Sequence, residues 1–287
     1  MSLKLRKLSY ALGAEVCDID VTRVSEASFG EIYRAFLDHG ILLFRNQNIS
    51  REQHIEFSRR FGELDRHDAL PRDRHPDYPE ILLVTNEPKP DGSPSDSRYT
   101  GRQWHSDMSF TTVPSLGSLL RGITIPEVGG DTVFANMYLA YETLSDGMKA
   151  LIADLHGIHL SGTRKINNEE SGSTRAEEQK KLNPPIAQPL VRVHPETGRK
   201  ALYLGDKVKR FDGLTEEESR PLIQFLNEHA TRFEFIYRHQ WRANDIVAWD
   251  NRCTMHLALG DFDETQRRHM ERTTVLGAPS GYVVASA

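Results

Sequence analysis

At 287 residues, with 38% hydrophobic and 27% charged residues, the chain has the composition of an ordinary globular protein with enough apolar material for a large core. A net charge of −5 argues against a nucleic-acid partner, which needs a basic face. No run approaches the ~18 apolar residues of a membrane helix. The two cysteines, Cys17 and Cys253, make neither a disulfide framework nor a Cys-x-x-Cys pair, and no apolar leader follows Met1, so a cytoplasmic location away from membranes is expected.

Leu8 to Val21 reads as a short strand. Phe29, Ile32, Tyr33, Phe36 and Leu37 carry the i, i+3, i+4 spacing of a helix over 27–38, with Gly40 placed to stop it. Ile41–Phe44 is a buried strand, and Ser50 with Gln53 forms a capping box at the head of a helix reaching Phe61. A loop carrying His67 and His75 follows, then a strand over 81–85 and a Pro-, Gly- and Ser-rich loop from Glu87 to Arg102.

That loop runs into Trp104-His105-Ser106-Asp107-Met108-Ser109-Phe110. On an extended strand His105 and Asp107 project to one side, because side chains alternate faces. Imidazole and carboxylate on one face are two thirds of a metal site, and His256 in Thr254-Met255-His256 is the best remote third ligand. Two histidines and a carboxylate leave open coordination positions, the facial triad of non-haem Fe(II) oxygenases. His-x-Asp by itself is weak, and a solvent-facing histidine bonded to its neighbour is the plain alternative.

Ser115–Ile125 reads as a strand closed by Pro126, and Gly129-Gly130-Asp131-Thr132 as a sharp turn into a strand over 133–136. Residues 138–144 and 148–155 read as helices. The stretch 166–188 is polar and is expected to be an insertion, either solvated surface or a lid. Strands over 189–193 and 200–204 flank His194-Pro195-Glu196-Thr197-Gly198-Arg199 as a hairpin, and Thr215 with Glu218 caps a helix running to Ala230. Four further strands cover 233–237, 245–249, 254–257 and 268–276. Many short strands and few long helices predict a mainly β protein, a double-stranded β-helix (jelly roll) with helices packed outside, as a single domain over 1–287.

In the last strand Arg268, Met270 and Arg272 share one face, and Arg267, His269 and Glu271 the other. Guanidiniums pointing inward are costly without anions, and arginine grips a carboxylate through two parallel hydrogen bonds. The alternative is an outward pair balancing surface acids. The Thr132 hydroxyl, just after the glycine turn, can donate to a carboxylate.

Trp104-His105-Ser106-Asp107, Gly129-Gly130-Asp131-Thr132, Val193-His194-Pro195-Glu196-Thr197-Gly198-Arg199, Trp249-Asp250-Asn251-Arg252 and Arg267-Arg268, in this order, resemble the taurine dioxygenase and chlorophenoxyacetate dioxygenase family over about Leu8 to Gly277. The stretch from His229 to Cys253 is more similar to the phenoxyacetate branch. The resemblance implies Fe(II) held by His105, Asp107 and His256, with 2-oxoglutarate as cosubstrate and O2 as oxidant. It implies that Arg268, helped by Thr132, holds the far carboxylate of 2-oxoglutarate. Arg272 is expected to face the acidic group of the substrate, and His67 to touch substrate. The taurine enzyme's pattern has asparagine and tyrosine where this chain has Gly101 and Leu70; Leu70 and Met108 are expected to make the substrate pocket more apolar.

The expected function is hydroxylation of a small anionic substrate, an aryloxyalkanoate-like carboxylate, by a homo-oligomer. Taurine, a sulfonate or an alkyl sulfate is the alternative substrate, and a non-catalytic cupin-like metal binder the alternative of another class. A zinc hydrolase fits less well, because no general base stands beside the triad and the paired arginines go unexplained.

Overall fold

The computed structural model of the chain describes residues 3–284 apart from 90, 96, 162–164, 167–168 and 171–181. Its first strands, β1 (Leu5–Lys7) and β2 (Ala14–Val16), form an antiparallel pair; only β2 falls within the 8–21 stretch read as a strand, and β1 precedes it. Gly13, at φ 90°, lets the chain turn between them. Helix α1 (Glu26–His39) is capped by Ser25, whose hydroxyl accepts from the Ser28 N–H, and stops at Gly40, which is left-handed and donates its N–H to the Phe36 carbonyl. Strand β3 (Ile41–Phe44) follows, then α2 (Arg51–Arg59), which has the expected Ser50–Gln53 capping box.

Strands β4 (Leu82–Thr85), β5 (Ser115–Thr124) and β6 (Thr132–Asn136) precede helices α3 (Met137–Glu142) and α4 (Asp146–Ile152). Next come β7 (His156–His159), the two-residue strands β8 (Lys165–Ile166) and β9 (Glu169–Glu170), β10 (Ile186–Pro189), and the hairpin β11 (Val191–Val193) and β12 (Lys200–Leu202). Strand β13 (Val208–Phe211) leads into α5 (Glu216–Ala230), which has the Thr215–Glu218 capping box. The chain closes with β14 (Ile236–His239), β15 (Ile246–Asp250), β16 (Thr254–Ala258), β17 (His269–Leu276) and β18 (Tyr282–Val283).

Two sheets carry the fold. The larger runs β1-β2-β3-β15-β5-β17-β4, and the smaller β14-β6-β16. Residue alternation decides which face meets which. Leu120, Val247, Trp249 and Met270 of the larger sheet pack on Phe134 of the smaller one. Their neighbours Leu119, Ile246 and Ala248 face outward onto Phe36 of α1 and Ile55 and Phe57 of α2. The outer face of the smaller sheet, through Ala135 and Met255, is covered by α3, α4 and α5. Each such aliphatic or aromatic side chain contributes about 1.5–3 kcal/mol on burial. The result is the double-stranded β-helix expected from the strand count, an open sandwich with helices outside. A further sheet, β13-β7-β10-β18, lies beside it.

Three expectations need correction. Trp104–Phe110 is not a strand: His105 makes a single bridge to His256, and the chain then turns, with Met108 at φ 53°. The polar insertion is shorter than expected, because Ile186, Ala187 and Gln188 are buried in β10, where Gln188 donates its amide to the Thr111 carbonyl. Within the insertion β8 and β9 pair, and 167–168 and 171–181 lie outside the described residues. Phe233–Phe235 is a 3-10 turn, so the strand there begins at Ile236.

Candidate metal centre

The triad is assembled by one backbone bridge and one asparagine. His105 and His256 exchange backbone hydrogen bonds, 3.0 Å from the His105 N–H and 2.8 Å from the His256 N–H. This sets their rings side by side with centroids 4.2 Å apart. Two residues on, the Asp107 N–H donates to Asn251 Oδ1 at 3.0 Å. Asn251 also accepts from Trp249 Nε1 and donates to the hydroxyls of Ser115 and Ser118, each at 3.0 Å. The Ser118 hydroxyl in turn donates to Asp107 Oδ2 at 2.7 Å. Asp107 is therefore aimed by Asn251 and Ser118 across a turn.

One ligand atom from each of His105, Asp107 and His256 lies within 4.8 Å of the others. His105 Nε2 stands 3.7 Å from Asp107 Oδ1, and His256 Nε2 3.9 Å from Asp107 Oδ2. His105 Nδ1 donates to the Gln103 carbonyl at 2.6 Å, so that nitrogen carries the proton and Nε2 presents its lone pair. Burial pushes the His105 imidazole down to about 4 against the pull of Asp107, and holds His256 well below the usual range, with His105 adding to the effect. Burial opposes the charge on Asp107, yet Arg272, then His256 and His105, hold it below the usual carboxylate range. Two neutral imidazoles and an ionised carboxylate are the donor set a divalent ion of the first transition row needs. The residues fit such an ion.

Two guanidiniums accompany the triad, both 6% exposed. Arg272 donates through Nη1 to Asp107 Oδ1, and its Nε is buried with no partner among the described residues. Arg268 donates through Nε to the Gly130 carbonyl at 3.0 Å, and burial, reinforced by Arg102, pushes it down to about 10. No carboxylate of the described residues forms an ion pair with Arg268. It opens into a cavity lined by Val84, Asn86, Ala258, Leu259 and Phe262. Met270, between the two arginines, is in the inter-sheet core, while Glu271 faces away onto Arg51. The outward alternative for these arginines is thereby excluded.

Gly130 is required where it stands. At φ 68° a Cβ would also meet Arg268 Nε at 3.1 Å. Thr132, two residues on, accepts from Trp241 Nε1 at 2.9 Å, which leaves its own hydroxyl proton to donate. Arg268 and Thr132 thus gather at the two ends of one turn.

His67 is fully buried at φ 55°, donating from Nδ1 to the Pro79 carbonyl and accepting at Nε2 from Thr274 Oγ1, each at 3.2 Å. Burial and then Arg272 lower its pKa. Leu70 is partly buried, with its N–H on the His67 carbonyl, and Met108 is buried next to Asp107. The structure brings His105, Asp107, His256 and Arg272 together. Arg268 and Thr132 lie at the neighbouring glycine turn; His67 is close enough to feel Arg272 and Asp107, Met108 follows Asp107 in the chain, and Leu70 is tied to His67 through its backbone.

Asn251, Ser118 and Trp241 carry no sequence signal as site residues, although Asn251 lies in the Trp249-Asp250-Asn251-Arg252 motif. Its other members hold the hairpin turn: Arg252 grips Asp250 at 2.9 and 2.6 Å and Glu196 at 2.6 Å, and His194 reaches Asp250 at 3.1 Å. Two motifs far apart in sequence are therefore one buried network.

Residues 4–274 match the family model described as taurine catabolism dioxygenase TauD, TfdA family. The chain is 33% identical over 285 residues to the alpha-ketoglutarate-dependent 2,4-dichlorophenoxyacetate dioxygenase of Cupriavidus pinatubonensis, covering 96% of this chain and 98% of that protein. It is 34% identical over 285 residues to the alkylsulfatase of Acinetobacter baylyi, covering 96% and 85%. The crystal structure of AAD-2 in complex with Mn(II) and N-oxalylglycine superposes with a TM-score of 0.88 at 32% identity, covering 98% of this chain and 99% of that one.

Proposed function

This chain belongs to the taurine catabolism dioxygenase TauD, TfdA family, and from that premise we propose that it hydroxylates a small organic acid of the aryloxyalkanoate type at the His105–Asp107–His256 centre. It is an Fe(II)- and 2-oxoglutarate-dependent dioxygenase. The observation that carries the site assignment is the buried triad with one guanidinium on its carboxylate and a second, unpaired with any described carboxylate, at the neighbouring turn.

Bound ferrous iron supplies the redox chemistry and the open coordination positions at which O2 is activated. The protein's part is to hold, orient and exclude. His105 is fixed in the tautomer that offers Nε2, because the Gln103 carbonyl takes the other nitrogen's proton. Asn251 and Ser118 aim Asp107. Arg268 receives the far carboxylate of 2-oxoglutarate, and Thr132, oriented by Trp241, donates to the same group. Arg272 receives the acidic group of the substrate, and Leu70 and Met108 supply apolar wall on the side of His67.

An alkyl sulfate or sulfonate is the second reading. It is favoured by the near-equal likeness to the alkylsulfatase and by a guanidinium that grips sulfate and carboxylate alike. No helix of the described residues is long and apolar enough to cross a membrane. The free thiols of Cys17 and Cys253 support a cytoplasmic location. The deciding experiment is O2-dependent succinate formation from 2-oxoglutarate by the iron-loaded protein, with a panel of aryloxy acids, sulfonates and alkyl sulfates. Stimulation by aryloxy acids above the other classes is expected. Stimulation by sulfates alone would replace the first reading with the second.

A further inference from the structure

Buried polar groups in a folded protein are nearly always hydrogen-bonded, so a cluster of orphans asks for a ligand. Three occur together on one side of the metal-bearing segment. Both ring nitrogens of His159, the hydroxyl of Tyr203 and Nη1 of Arg192 are buried without a well-formed hydrogen bond among the described residues, the Arg192 guanidinium lying close to the phenol oxygen. His159 is 1% and Tyr203 2% exposed. The Arg192 guanidinium lies over the Tyr203 ring, 4.3 Å from its centroid, and the His159 ring is 5.4 Å from the same ring. Arg192 is held from behind by Nη2, which donates to Ser280 Oγ at 3.2 Å.

The position of this cluster follows from strand register. Gly157 pairs with Gln188 and His159 with Ile186, so His159 and Gln188 share a face of the β7–β10 sheet. Gln188 donates to the Ser109 and Thr111 carbonyls, so that face looks onto the segment just after Asp107. Tyr203 is tied to the other end of the segment. Two residues later a Cβ on Gly205 would meet the Trp104 carbonyl oxygen at 2.6 Å and His105 Cα at 3.3 Å. Lys207 sets its ammonium 4.9 Å from the centroid of the Phe110 ring. A pocket wall meant for a plain aryl ring has no reason to bury a guanidinium, a phenol and an imidazole here.

We propose that Arg192, Tyr203 and His159 form a second anion-accepting subsite, and that the substrate carries, besides the acid group assigned to Arg272, a second acidic or strongly accepting group at its other end. The substrate class narrows accordingly to doubly acidic small molecules, such as ring-carboxylated or ring-sulfonated aryloxy acids. All three groups are in the state the role needs. Burial keeps the Tyr203 phenol protonated, pushing it up to about 12, and keeps His159 neutral, pushing it down to about 3. Phenol, imidazole N–H and guanidinium are then all donors. This inference rests on the dioxygenase reading of the site.

The test compares equilibrium binding of phenoxyacetate and its ring-carboxylated counterpart to the anaerobic, iron- and 2-oxoglutarate-loaded protein. The wild type is expected to prefer the doubly acidic molecule by about tenfold or more, as charge-assisted hydrogen bonds to a buried guanidinium allow. Arg192→Met and the milder Tyr203→Phe are each expected to bring the ratio towards one, with 2-oxoglutarate affinity held as the check on folding. No preference in the wild type, or a preference surviving both substitutions, would overturn the subsite. Succinate formation by the wild type, measured alongside, reports on the dioxygenase reading separately. A wild type that forms succinate yet shows no preference for the doubly acidic molecule strikes the subsite alone.

Discussion

The guanidinium of Arg272 donates to Oδ1 of Asp107 while the Ser118 hydroxyl donates to Oδ2, so the triad's carboxylate is engaged on both oxygens inside the protein. Each oxygen keeps a second lone pair, enough for one metal bond. Arg272 is thereby positioned at the metal before any substrate arrives, and its orphaned Nε is a donor waiting for an acceptor. Removing one partner of a buried charge pair costs about 2–5 kcal/mol, roughly thirty-fold or more. Arg272→Met should raise KM for the acid substrate by that much and change KM for 2-oxoglutarate only a few-fold. Steady-state kinetics with each substrate varied in turn checks the split.

Arg268→Met should do the reverse. Its guanidinium is fixed by the Gly130 carbonyl and the described residues offer it no carboxylate, so the cosubstrate is its natural counter-charge. An increase in the 2-oxoglutarate requirement of about 2–5 kcal/mol, read as KM or as anaerobic binding, is expected. If Arg272→Met raised that requirement more than Arg268→Met, the two roles would have to be exchanged.

The hydrogen bonds behind the triad imply a graded series. His105→Ala or Asp107→Ala should abolish turnover and iron binding, since each removes a ligand. Ser118→Ala removes only the hydroxyl that orients Asp107, and losing such a partner typically costs about 10–100-fold in metal affinity or activity. Ferrous affinity should therefore fall in the order wild type, Ser118→Ala, Asp107→Ala. Wild-type affinity in Ser118→Ala would show that Arg272 and the Asn251-held backbone orient the carboxylate without the hydroxyl.

The parts of the site that could be read in the sequence are those carried by strand periodicity or by a short motif. Met270 and Arg272 share the inner face because β17 runs for eight residues beside β5, and Arg268, one residue before that strand, is held by the Gly130 carbonyl. His105 and Asp107 do converge with His256, but not for the reason periodicity offers: the chain turns after His105, and an asparagine in a distant turn aims the carboxylate. Polar composition misassigned Ile186–Gln188, because Gln188 spends its amide on tertiary hydrogen bonds that composition does not register. His159, Arg192 and Tyr203 had no signal at all. They come from three short segments with nothing periodic about them, and only the folded register brings them together.

A pH-dependent stability term is expected on the outer face of β17. His269 Nδ1 meets Glu87 Oε2 at 2.9 Å, and its Nε2 lies 3.6 Å from Oε1 of the buried Glu271, which is also held by Arg51 at 2.7 Å. The bond to Glu271 raises the imidazole pKa, burial works against it, and Glu87 adds to the rise. The folded state therefore holds this proton more tightly than the unfolded chain, whose imidazole titrates near about 6.5. The stabilisation is fully present below that value and is lost as pH rises through the higher folded one. His269→Gln should lower stability by on the order of 1–2 kcal/mol at pH ~6, as loss of a charged hydrogen bond does, and by less at pH ~9. Urea midpoints of both proteins at the two pH values measure it. The Glu271 carboxylate does not blur the comparison, because its own pKa is lowered and it stays ionised across that window. An equal deficit at both pH values would mean that His269 acts by packing and that its charge adds nothing.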